Sequence, residues 1–270
     1  MAIITISRGS FSKGKEVAEK VSAQLGYKCI SREILLDASD HFHIPEVKLI
    51  RAIHDAPSIL DRFTHGKQVF IAYLRSALAN RVKEDNVVYH GLAGHLFLKG
   101  LPHVLKVRII ADLQDRIKAE MEREKISEEE ARLILLKDDE ERRKWTQSLQ
   151  GVDPWDSSLY DLVVHIHKLK VSDAVDFICQ AATREPFKTT AAAQQKTDDL
   201  ALACQVKATL VDQYFDVAVT STYGNVVINT KAGDRLTQKL LKRVGSLSQE
   251  IAGIKNLEVH SSGHYPPDAI

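Results

Sequence analysis

Cysteine is scarce in this chain: Cys29, Cys179 and Cys204 are the only three in 270 residues, far apart and odd in number. They match neither a disulfide framework nor a metal-ligand spacing, and suit reduced packing thiols in a cytoplasmic protein. Excess charge of one sign is also lacking, since 37 Lys and Arg stand against 36 Asp and Glu. No global field then favours nucleic acid or an anionic membrane, so any anion site has to be local. No apolar run approaches a membrane-spanning length, and the N-terminus opens on a core-strand pattern rather than on a charged segment followed by an apolar one. The histidines His41, His43, His90, His95, His165 and His167 show no helical metal spacing, which gives no transition-metal site and reads them as surface or supporting groups.

What is present begins at residue 2. Ala2-Ile3-Ile4-Thr5-Ile6 has the composition of a short buried strand, and Glu16 to Leu25 carries apolar residues at 17, 18, 21 and 25 before Gly26, a helical stripe with its stop. Between them lies Gly9-Ser10-Phe11-Ser12-Lys13-Gly14-Lys15. A glycine loop joining strand to helix gathers backbone N–H groups and the positive end of the helix dipole on an anion, and Lys15 adds a mobile cation. Gly9, Gly14 and Lys15 have the spacing of a P-loop, but Glu16 stands where that pattern has the Ser or Thr that holds magnesium.

Further strands are expected at 27–31, 86–90, 103–110 and 160–166, alternating with helical stretches. Residues 41–84 read as a helical insertion broken near Pro45 and Pro57, and 171–182 as a closing helix. From Asp112 to Trp145 the chain is dense in charge, yet Leu113, Ile117 and Met121 step by four, and Ser127 with Glu130 makes a capping box. The sum is an α/β unit over 1–182, a doubly wound parallel sheet of five strands whose ligands bind beyond the strands' C-terminal ends. Residues 183–197 are poor in large apolar groups and read as a linker. A small α+β unit in the order αββαβ is expected over 198–262, with a hairpin around Tyr223-Gly224-Asn225, and 263–270 as a frayed tail.

Residues 1 to about 182 resemble the nucleoside monophosphate kinases, especially the cytidylate kinase-like family. The marks are Ile4-Thr5-Ile6-Ser7-Arg8 with Gly14-Lys15-Glu16, Ser31-Arg32-Glu33, Asp139-Glu140-Glu141-Arg142 with Trp145, and Trp155 with Tyr160-Asp161-Leu162. The resemblance implies ATP-dependent phosphoryl transfer to a nucleoside monophosphate, a lid over the phosphates, and an accompanying Mg2+. It also makes Glu16 a family variant, because that family's loop tolerates an acid after the basic residue. Residues 198–262 resemble a BON domain on Gly224-Asn225-Val226-Val227-Ile228 and Ala252-Gly253-Ile254-Lys255-Asn256-Leu257, which implies a lipid or protein ligand.

Phosphoryl transfer asks for in-line positioning and positive charge rather than covalent chemistry. Gly9, Ser10, Phe11, Ser12, Lys13, Gly14, Lys15 and Glu16 are the expected donor-phosphate seat. Lys15, Arg142 and Arg116 are the candidate catalytic cations, Arg142 at the family's lid-arginine position. Against this, residues 140–144 also read as a solvated helical face, and Glu120 at i+4 is an ordinary partner for Arg116. Arg32, or equally Arg8 or Lys28, is placed to grip the acceptor phosphate. The family's acid at Ser31 and arginine at Leu92 are absent, so the acceptor's identity stays open, and a non-catalytic nucleotide-binding sensor and a kinase for another small metabolite stand as alternatives. Magnesium ligands stay unassigned, with Ser10, Ser12 and Asp112 as candidates through water. Trp145 and Trp155 fit either a stacking lid or plain packing.

Overall fold

The computed structural model describes residues 2–10, 12–31, 33–42, 66–91, 93–231, 233–261, 264–267 and 269–270. In chain order these form β1 (Ile3–Arg8), α1 (Gly14–Leu25), β2 (Lys28–Ile30), α2 (Glu33–Phe42), α3 (Gly66–Val82), β3 (Val87–His90), a short α4 (Gly94–Phe97) and β4 (Val104–Ala111). There follow α5 (Leu113–Glu124), α6 (Glu128–Gln150), β5 (Leu162–Ile166) and α7 (Val171–Ala182). The five strands pair in parallel in the order β2-β3-β1-β4-β5, the α/β sheet that the alternating pattern predicts. The expected breaks at Pro45 and Pro57 lie outside the described residues.

Strand β1 shows why its sequence is apolar at nearly every position. Ile3 enters a core with Ile34, Tyr73, Leu78 and Phe97 on one face, while Ile4 and Ile6 enter a second with Val17, Val21 and Ile178 on the other. A strand covered on both faces has little use for polar residues. With β1 central, the loop at its C-terminal end lies where the strand order reverses, the usual ligand crevice of such sheets.

The charged segment is two helices. Ser127 caps the second: its Oγ accepts the Glu130 N–H at 3.3 Å and the Glu130 carboxylate accepts the Ser127 N–H at 3.0 Å. Such a cap contributes about 1 kcal/mol. Ala131 and Leu135 then bury against Ile117 of α5, and Trp145 sits 3% exposed in the main core. Trp145 packs in this core and also lines a cleft at the C-terminal ends of the strands.

Beyond 182 come α8 (Ala191–Leu210), β6 (Val217–Thr222), β7 (Asn225–Thr230), α9 (Asp234–Glu250) and β8 (Asn256–Ser261), in the expected αββαβ order. The sheet runs β6-β7-β8, its first pair antiparallel and its second parallel. Tyr223 and Gly224 turn the hairpin with φ of 52° and 82°, and a Cβ on Gly224 would stand 2.7 Å from the Gly253 carbonyl oxygen.

Two expectations need correction here. Residues 191–197, read as part of a linker, are the first two turns of α8, capped by Thr190 Oγ1 on the Ala193 N–H at 3.1 Å. Alanine is the strongest helix former, and Ala193 and Thr197 are buried precisely where their small size permits close packing, so the lack of large apolar groups misled. Helix α8 has two apolar faces: Ala208 and Val211 join the core of α3, and Ala203, Val206 and Leu210 line the C-terminal core. The segment read as a frayed tail is also held: Ile270 and Val219 exchange backbone hydrogen bonds at 3.1 Å, and the Tyr265 hydroxyl donates to Asp216 Oδ1 at 2.6 Å.

Candidate active site

The glycine loop opens on a cleft of about 1220 Å3 at the C-terminal ends of the strands. Gly9, Ser10, Ser12, Lys13, Gly14, Lys15 and Glu16 all line it, while Phe11 lies outside the described residues. The loop is tied to itself and to the helices above. Ser12 Oγ donates to the Gly9 carbonyl at 2.9 Å, and Lys13 takes a left-handed φ of 66° to launch α1. Gly14 has no room for a side chain, since a Cβ there would meet Arg8 Cβ and Cδ at 2.7 Å. Lys15 is exposed with Nζ 3.7 Å from Glu19, and Glu16 is turned to Lys20 at 2.8 Å.

Arg116 departs from expectation. It does not pair with Glu120; it binds Asp139 of α6, Nη1 to Oδ2 at 2.8 Å, and its Nε donates to the Ser10 carbonyl at 2.7 Å. Glu120 instead accepts from Arg123 at 3.1 Å. The neighbouring Asp138 Oδ2 accepts from Ser10 Oγ at 3.2 Å, so α6 rests directly on the loop.

The cleft arginines divide into two groups. Arg108 donates to the Pro154 carbonyl at 2.6 Å, Arg116 holds Asp139, Arg123 holds Glu120 and Glu124, and Arg143 holds Asp153 at 2.6 Å while stacking 4.5 Å over Trp155. Arg8 and Arg142 have no side-chain hydrogen bond or ion pair among the described residues, and Arg8 Nε is sealed from solvent. Burial first, then the facing charge of Arg142, pushes the Arg8 pKa below the ordinary arginine value. Arg8 thus lies against Gly14, beside the phosphate loop. Lys28, the other alternative, pairs with Glu84 and does not line the cleft. Arg32 and Leu92 lie outside the described residues.

The histidines of the third-strand region are not surface groups. His90 and His95 line the cleft at 6% and 5% exposure, with His90 Nδ1 and His95 Nε2 buried without a partner among the described residues. Burial, then the charge of Arg8, lowers the His90 pKa to about 4; burial, then Arg108 and Lys106, does the same for His95. Both are neutral imidazoles at pH 7. Their burial left no local signal, because the elements that cover them are distant in sequence. Tyr160, one residue of the Tyr160-Asp161-Leu162 motif, donates its hydroxyl to the Pro154 carbonyl at 2.9 Å, and its ring packs 4.7 Å from His95.

The residues suit a polyphosphate better than they suit a metal. A helix start, a buried orphan guanidinium and a facing arginine all attract an anion. Around the loop, Ser10 donates to Asp138, Ser12 to Gly9, Glu16 meets Lys20, and Asp112 accepts the Gln114 N–H at 2.9 Å as cap of α5, while the cleft carboxylates Asp139 and Glu141 face Arg116 and Lys137. No group of three His, Cys, Asp or Glu side chains among the described residues is placed to hold an ion.

Comparison with known proteins bears on the family and the fold. Residues 3–168 match the model of the cytidylate kinase-like family. The cytidylate kinase of Sulfolobus acidocaldarius is 26% identical over 183 residues, 67% of this chain and 94% of that protein. The cytidylate kinase of Methanosarcina acetivorans is 34% identical over 99 residues, 36% of this chain and 53% of that protein. A crystal structure of an uncharacterized protein from Eubacterium ventriosum superposes with a TM-score of 0.52 at 21% identity, covering 68% of this chain and 100% of that one, a likeness of fold alone. The family match ends short of the αββαβ unit.

Proposed function

The chain belongs to the cytidylate kinase-like family, and on that footing we propose that it transfers the terminal phosphoryl group of ATP to a nucleoside monophosphate. The observation that carries the reading is the pair Arg8 and Arg142, two guanidinium groups that line the cleft near enough for one to lower the pKa of the other, with no side-chain acceptor among the described residues. Two like charges that are paired with no carboxylate repel, and a phosphate chain between them removes the repulsion.

In this reading residues 9–16 seat the donor phosphates, Lys15 and Arg142 neutralise charge on the transferring group, and Arg116 holds the Ser10 carbonyl and the lid helix in register. Arg32 grips the acceptor phosphate. Coupled detection of ADP against a panel of nucleoside monophosphates tests it, with turnover of at least one expected. Binding of ATP with no turnover of any would sink the catalytic reading and leave a nucleotide sensor, a second reading favoured by the Asp138 carboxylate on Ser10, 3.2 Å away.

The C-terminal unit is assigned a binding role as a BON-like module, supported by its αββαβ order and its glycine-turned hairpin. No helix among the described residues is long and apolar enough to cross a membrane, so a lipid ligand would be met at a surface. Flotation of the full chain with liposomes separates a lipid ligand, which carries the protein upward, from a protein one, which leaves it in the soluble fraction.

A further inference from the structure

We propose that this chain binds its nucleotide phosphates without a divalent cation, Arg8 and Arg142 supplying the two positive charges and the His90 imidazole a hydrogen bond. The proposal rests on the reading that the loop binds a phosphate chain, and concerns what compensates the charge there.

Magnesium demands hard oxygen ligands in near-octahedral array. At the two places where a P-loop fold provides them, after the loop lysine and at the end of a neighbouring strand, this chain has Glu16 and His90. Glu16 is turned away to Lys20, and an imidazole is a poor ligand for magnesium. The loop hydroxyls Ser10 and Ser12 donate to oxygens of the protein itself, and the other carboxylates that line the cleft, Glu19, Asp138, Asp139 and Glu141, each face a donor of their own, Lys15, Ser10, Arg116 and Lys137.

What stands there instead is cationic. Arg8 ends β1, and in the β1–β3 register Ile6 is opposite His90, so Arg8 and His90 emerge side by side from adjacent strands on the face that α1 covers. The close approach of Gly14 holds the Arg8 stem beneath the first turn of α1. The guanidinium is partly buried and its Nε has no acceptor among the described residues, a state that costs free energy until an anion arrives. His90 is 6% exposed, neutral, and likewise without a partner among the described residues, so it can donate one N–H to a phosphate oxygen without adding a third charge. A guanidinium cannot lose its proton near neutral pH, so the compensation is permanent, whereas a metal must be captured with each nucleotide.

Isothermal titration of the full chain with ATP, once with magnesium and once in excess EDTA, tests this. The expected dissociation constants agree within about threefold, while Arg8→Gln and Arg142→Gln each weaken binding in EDTA by about tenfold or more. Circular dichroism of each variant guards against loss of the fold, and Arg142→Gln, on the lid helix, carries the test if Arg8→Gln does not fold. Loss of more than about tenfold in affinity on adding EDTA to the unaltered chain overturns the proposal and leaves the kinase reading standing. Absence of ATP binding under both conditions overturns both.

Discussion

Arg116 of α5 and Asp139 of α6 are joined by two contacts, Nη1 to Oδ2 at 2.8 Å and Nη2 to Oδ1 at 2.9 Å. The fork-to-fork geometry fixes the rotation of α6, and Arg142 lies one helical turn further along the same helix. Because Arg116 Nε also holds the Ser10 carbonyl at 2.7 Å, one guanidinium sets the distance between the loop and α6. Arg116→Ala leaves Asp139 without its cation and is expected to cost about 2–3 kcal/mol in urea denaturation. Asp139→Asn should lower kcat more than it lowers stability, since the amide keeps the packing and loses the fork. A double-mutant cycle that returned no coupling would show that the two side chains act independently.

Gly14→Ala tests the close approach under α1. Its Cβ would stand 2.7 Å from Arg8 Cβ and Cδ, and the Arg8 stem would have to move. The expected outcome is an ATP affinity reduced by about tenfold with a small change in melting temperature. An unchanged affinity would mean that Arg8 is free to relocate without loss.

The buried histidines set a pH dependence of stability. His90 and His95 have pKa values of about 4 when folded against an ordinary 6.5. Between those values the unfolded chain binds more protons than the folded one, so stability rises with pH there. The contribution of each neutral imidazole is complete above about pH 6.5 and is lost progressively as the pH falls toward 4. Urea midpoints should therefore drop between pH 7 and pH 5, and a double variant His90→Gln, His95→Gln should flatten that drop. A slope unchanged in the double variant would place the proton uptake elsewhere.

Which of these features the sequence disclosed follows from their range. The strand-loop-helix at residues 2–25 was legible because periodicity and glycine spacing are local signals. The partner of Arg116 was not, because the helical i+4 rule sees Glu120 and cannot see Asp139, which comes 23 residues later on another helix. The burial of His90 and His95 was hidden for the same reason. The start of α8 was missed on composition: a run of alanines and glutamines resembles a linker until a neighbour is found whose surface accepts small residues.

That neighbour is α3, and it joins the two units energetically. The Tyr73 hydroxyl donates to Asp212 Oδ2 at 2.7 Å, Val211 is buried in the core of α3, and Ala79 of α3 packs with Ala201 and Cys204. A helix that is apolar on two faces belongs to both cores, so neither core can lose it without exposing the other. Val211→Ala is expected to destabilise by about 2 kcal/mol, from two lost methyl groups and the space they leave. Tyr73→Phe should cost about 1 kcal/mol by leaving Asp212 without its donor. The sharper expectation is cooperativity: calorimetry of the full chain should show a single transition, displaced downward as a whole by either substitution. Leu74, the residue after Tyr73 on α3, lines the nucleotide cleft. The same two variants should therefore weaken acceptor binding although neither residue lines the cleft, and a second, independent transition for the C-terminal unit would refute the shared core.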